Sequence, residues 1–117
     1  MSQLIALRLY FHHSATASPT RFWHRFKRPN LARHLLRQAK HAGIEQALLH
    51  QVHAGYLNGD RIHHRHVEHV HHRFPHCLEF IDVESKLRAF WLHHGHEHRH
   101  VHAVFLPCES ANAAASR

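Results

Sequence analysis

The strongest constraint on this chain is the order of its hydrophobic patterns. "QLIALRLYF" (3–11) is rich in β-formers, with Leu7, Leu9 and Phe11 on one face and Ala6, Arg8 and Tyr10 on the other. A long polar and aromatic connection, "HHSATASPTRFWHRFKR", leads to a helical pattern, "PNLARHLLRQAKHAG". Pro29 suits its first turn, Leu31, Leu35, Ala39 and Ala42 form its stripe, and Gly43 stops it. "IEQALLHQVHAGY" predicts a second strand ending at Gly55. The polar excursion "LNGDRIHHRHVEHVHHRFP" separates it from a third, "HCLEFI". Asp82 is expected to cap a second helix, "VESKLRAFWLHH", whose stripe is Val83, Leu87, Phe90, Trp91 and His94 and which Gly95 closes. "RHVHAVFL" is the last strand, and "CESANAAASR" (108–117) reads as a flexible tail.

That order, β-α-β-β-α-β, predicts an α+β fold of the ferredoxin-like kind: a four-stranded antiparallel sheet with two helices on one face. The domain is expected to span 1–107. Its strands are apolar on both sides, with Leu78 and Phe80 against Cys77 and Ile81, and Val101 and Phe105 against Val104 and Leu106. A sheet apolar on both faces is usually buried on both. In 117 residues this predicts self-association. Cys77 and Cys108 fall on strands that are not neighbours in this topology, so both are expected as free thiols.

Charge narrows the partners. Fifteen Lys and Arg, twelve of them Arg, face eight Asp and Glu, and twenty histidines stand beside them. Such a surface suits an anionic partner, or simply solubility. "MSQLIALRLYF" lacks the basic start of a signal peptide, and no run approaches the ~20 apolar residues of a membrane span. A soluble cytoplasmic protein is the expectation. "TRFWHRFKRP" interleaves cations and aromatics as nucleic-acid binders do, but no strand carries an RNP-type signature, so nucleic acid is disfavoured. An enzyme is not expected: there is no nucleophile elbow, no P-loop, and few carboxylates for acid-base work.

The residues "W23-H24 … R28-P29-N30-L31", "A42-G43-I44", "A47", "H53-A54-G55-Y56", "R61-I62-H63", "P75" and "E79-F80-I81-D82-V83-E84-S85-K86-L87" together resemble a bacterial family of PII-like proteins, domain of unknown function 190. The resemblance spans roughly residues 4–106. It implies a homotrimer with the sheets facing inward, binding small effectors, often adenine nucleotides, in intersubunit clefts, and acting in signal transduction on a membrane transporter. The loop at 54–75 and the connection at 93–99 would line those clefts. This points to His53, Gly55, Tyr56, Arg61, His63, Arg28 and Arg99 as effector-binding residues. One departure stands out: Gly55-Tyr56 is followed by Leu57, where the family tends toward Gly-aromatic-Gly.

Both segments are rich in histidine; "HHGHEHRHVH" (93–102) holds six in ten positions. "HEHRH" matches the H-E-x-x-H pattern of metalloproteases, which requires a helix. Extended after Gly95, His96 and His100 would stand ~13 Å apart, too far to share an ion. Neighbours at i and i+2 would stand ~6.6 Å apart on one side. On that geometry His96, His98, His100 and His102 form one metal-binding ladder, and His64, His66 and Glu68 another. The ligands suit Zn, Ni, Cu or Co. The competing reading is a metal-buffering protein, similar in fold to the CutA-like trimers, with no signalling partner.

Overall fold

The computed structural model describes residues 3–15, 30–66 and 69–112. The elements are β1 (Leu4–His12), α1 (Leu31–His41), β2 (Gln46–His50), β3 (Ala54–Gly55), β4 (His63–His64), β5 (Pro75–Val83), α2 (Glu84–His94) and β6 (His102–Pro107), with a 3-10 turn at Gly95–Glu97. The main sheet has the order β2-β5-β1-β6 with antiparallel pairing throughout, and β3 and β4 form a separate ribbon. This is the ferredoxin-like arrangement.

Register explains the core. Leu7 stands opposite Phe80 and Phe105, and Leu9 opposite Leu78 and Ala103, so one face is continuously apolar. Onto it pack Leu31, Leu35 and Ala39 of α1 and Leu87 and Phe90 of α2, all buried. Phe80 and Phe90 meet edge to face at 5.3 Å. Asn30 caps α1, its side-chain oxygen accepting from the Arg33 N–H at 3.3 Å. At the other end Gly43 takes φ +75°, and the N–H groups of Gly43 and Ile44 bond back to the carbonyls of Lys40 and Ala39. Those two bonds are the Schellman pattern, which explains the glycine. Ala42, expected on the stripe, is the exposed C-cap instead. Pro29 lies outside the described residues.

The opposite sheet face mixes apolar and charged groups. Half-buried Ile81, Val104 and Leu106 surround a buried Glu79, which binds Arg8 Nε at 2.6 Å and faces His50 Nε2 at 3.4 Å. Burial alone would raise the Glu79 pKa, but Arg8 and His50 together outweigh it and hold the carboxyl below its ordinary value. Cys77 and Cys108 are both free.

Three expectations are corrected. Asp82 does not cap α2: it lies within β5, one residue before its end, and its carboxylate turns back to accept from the N–H groups of Glu45 and Val83, both at 2.7 Å. Val83 occupies the cap position without a side-chain bond, and the Glu84 N–H donates to the Gln3 carbonyl instead. The predicted second strand is two pieces, because the sheet pairing stops at His50 and Ala54–Gly55 turn away to pair with β4. The last strand begins at His102 rather than Arg99. The chain first turns at Gly95–Glu97, and the Val101 N–H closes a further turn onto the His98 carbonyl at 3.0 Å.

Candidate functional site

Residues 51–66 rise from the sheet as the β3–β4 ribbon, and residues 69–74 return along the end of β1. The ribbon's tip is Leu57-Asn58-Gly59-Asp60, with φ +55° at Asn58 and +71° at Gly59 and the Asp60 N–H bonded to the Leu57 carbonyl at 3.1 Å. Positive φ at both central residues is the type I′ pattern, for which Asn-Gly is the preferred pair. Asp60 then organises the ribbon. Its carboxylate accepts from His63 Nε2 at 3.0 Å, from the Arg61 N–H at 2.9 Å and from Arg73 at 3.4 Å. These contacts, His63 foremost, hold its pKa down at about 2. His63 is buried and stacks on His71 at 4.5 Å, and His71 stacks on His72 at 4.3 Å.

Fully buried Phe74 anchors the return. The His13 N–H bonds its carbonyl at 2.8 Å, and the Arg65 guanidinium lies over its ring at 5.1 Å. Arg65 also ties the ribbon's base, donating Nε to the Val52 carbonyl at 3.0 Å.

The ribbon tip and the turn before β6 meet across the end of β1. A cleft of about 470 Å³ is lined by Tyr10, His12, Leu57, Asn58, Arg99, His100 and His102, with Phe11 and Val101 beneath. A second hollow of about 400 Å³ shares His12, Leu57 and Asn58 and continues to Gly59, Asp60 and Arg73. The walls of the two hollows together thus carry two guanidiniums and three imidazoles against one carboxylate. His12 lines both hollows, and its buried Nε2 has no hydrogen-bond partner. Chemically, such a surface suits an anion whose other groups can reach Asn58 and Asp60.

Of the expected effector residues, Arg99 lines the cleft. His53 and Tyr56 are exposed, Gly55 packs beside Pro75, and Arg61 projects to His71 Nε2 at 3.3 Å. His63 is committed to Asp60 inside the ribbon, and Arg28 lies outside the described residues.

The extended histidine ladder is corrected. His96 sits in the 3-10 turn 3.9 Å from Glu97, His98 points inward, and only His100 and His102 reach the cleft. The turn that Gly95 opens breaks the i, i+2 alternation on which the ladder depends. His64 and His66 are exposed, and Glu68 lies outside the described residues. Among the described residues, no three His, Cys, Asp or Glu side chains are placed to hold one ion.

Sequence reasoning missed His12, Tyr10, Asn58, Asp60 and Arg73. The Asn-Gly pair was the available signal, since it marks a hairpin tip and so brings Asp60 beside it. Nothing local marks His12. Residues 20–104 match the model of a protein family described as "Uncharacterized ACR, COG1993". No curated protein matches the chain.

Proposed function

Since the chain belongs to the DUF190 family, we propose that it is a PII-like regulatory protein that binds a small anionic effector, of the adenine-nucleotide class, at the cleft between the ribbon tip and residues 99–102. One observation carries this reading. Two segments far apart in sequence, 57–58 and 99–102, converge on one cleft lined by Arg99 and three histidines. The ribbon makes the cleft responsive: a ligand reaching both Asn58 and Arg99 would bias the ribbon's position and with it the exposed Tyr56 and Ile62. The partner implied by the family resemblance is a membrane transporter. Among the described residues, no helix is long and apolar enough to cross a membrane itself.

The open sheet face fits a homotrimer with its sheets inward. Assembly would cover Ile81, Val104 and Leu106 and bury the Arg8–Glu79 pair further, at a desolvation cost that the pair's existing 2.6 Å bond offsets in part. In this reading the chain is a binding protein and not a catalyst. A metal-buffering role draws less support, because the run at 96–102 does not line up as a ligand ladder.

Isothermal titration with ATP, ADP and AMP tests the proposal on the wild type and on Arg99→Ala. Saturable binding near one ligand per chain, weakened at least tenfold by the substitution, is the expected result. No binding, or binding indifferent to Arg99, refutes it.

A further inference from the structure

Charge is divided unevenly along this chain. Residues 1–44 hold eight of the fifteen Lys and Arg and none of the eight Asp and Glu, the first acid being Glu45. Residues 45–117 set seven cations against eight acids, so the two segments carry +8 and −1 of the net +7. Of the eight cations in the first segment, Arg8 is bound to Glu79, and Arg21, Arg25, Lys27 and Arg28 lie outside the described residues. The other three, Arg33, Arg37 and Lys40, are exposed on α1.

The two helices handle charge in opposite ways. Lys86 and Arg88 of α2 each meet an acid four residues earlier, Lys86 facing Asp82 at 3.3 Å and Arg88 Nε binding Glu84 at 2.6 Å. On α1 there is no acid, and among the described residues none of Arg33, Arg37 and Lys40 forms an ion pair. Lys40 and Glu45 line one hollow without pairing. Lys40, in the last turn, suits the helix dipole, but Arg33 in the first turn opposes it and stands one turn from the like-charged Arg37. Nothing within the helix balances this stripe.

We propose that this side of α1 docks on an acidic phospholipid surface through Arg33, Arg37 and Lys40. Spacings of four and three residues set the three cations on one side of the helix along ~10 Å of its length. His41 stands beside them, and a shallow hollow of about 180 Å³ opens among the side chains of Arg37, Lys40 and His41, where a headgroup phosphate can meet all three. Leu31, Leu35 and Ala39 are buried in the core, so α1 has no apolar face to place in the acyl layer and its attraction to the surface is electrostatic. A plane of laterally mobile headgroups adapts to such a convex stripe. A nucleic acid fits it less well, because single strands need aromatic platforms among the cations and α1 carries no Phe, Tyr or Trp. Docking here does not involve the effector cleft, and it would hold the chain at the membrane where the transporter proposed above resides.

The test is co-sedimentation of the full chain with vesicles of phosphatidylcholine containing about one-third phosphatidylglycerol, and with vesicles of phosphatidylcholine alone, at low and high salt. R33Q/R37Q is compared with K86Q/R88Q, which lowers the net charge equally but on α2, and circular dichroism confirms each fold. Binding to the acidic vesicles alone, lost at high salt, is expected. At ~fivefold for each cation, R33Q/R37Q should weaken that binding at least tenfold, and K86Q/R88Q by less than about threefold. No binding to the acidic vesicles, equal binding to the neutral ones, or equal losses in the two variants overturns the proposal. So does a DNA or RNA oligonucleotide that binds more tightly than the vesicles and is lost in R33Q/R37Q. Titration with ATP reads the effector cleft separately, since neither variant changes a residue that lines it.

Discussion

Acidification from pH 7.5 to 5 should destabilise the fold, and His76 should account for a measurable part of the loss. His76 stacks on Phe11 with an interplanar angle of 8° and lies 2.9 Å from His13 Nδ1. Burial, then the nearby His13 and Arg65, push its pKa from 6.5 to about 4. The neutral ring is thus the folded form, while the unfolded chain takes up a proton near 6.5. Its stabilising effect is complete above that pH and disappears as pH falls through about 4. At pH 5 linkage alone gives ~2 kcal/mol; the ring is half-exposed, and solvent screening reduces this to ~1 kcal/mol. His71, His94 and His98, whose pKa values are also lowered, act in the same direction. Urea unfolding at fixed protein concentration measures the slope. His76→Phe keeps the stacked ring and removes the titration, so its loss between pH 7.5 and 5 should be ~1 kcal/mol smaller than the wild type's. An unchanged slope, or an NMR titration of His76 near 6.5, refutes the reasoning.

Other perturbations follow from the same geometry. Phe80→Ala empties the core between Leu7, Ala47 and Phe90 and should cost about 3–5 kcal/mol in urea unfolding; a loss below 1 would contradict its place there. Asp82→Ala removes the acceptor for two backbone N–H groups and should cost about 2 kcal/mol, whereas a helix-capping role alone would cost about 1. Gly59→Ala forces a side chain into φ +71° and should cost about 1 kcal/mol, read as faster amide exchange in the ribbon; unaltered exchange would mean the turn is not type I′.

The fold was legible wherever a pattern was local and repeated. Alternation in β1, the stripe Leu31-Leu35-Ala39 and the stop at Gly43 each reflect one element meeting one core face. Reading failed where a side chain answers to something distant. Asp82 looks like a cap because it precedes a helix, but the Glu45 N–H, brought alongside by α1 and β2, competes for it. The histidine run looked extended because Gly95 ends α2, yet the chain makes two further turns before pairing with β1. For the cleft, sequence pointed to the loop at 54–75 and to Arg99, but not to His12 or Asp60. Those residues meet only once β1 and the ribbon are folded against each other.

The most direct test of the central claim is amide hydrogen exchange with and without saturating ATP, resolved to the ribbon tip and the β6 turn. The account predicts slowed exchange at residues 57–60 and 99–102 together, with the far end of the sheet at Gln46–Leu49 unaffected. Protection confined to another region, or ATP binding that leaves both segments unchanged, would contradict it.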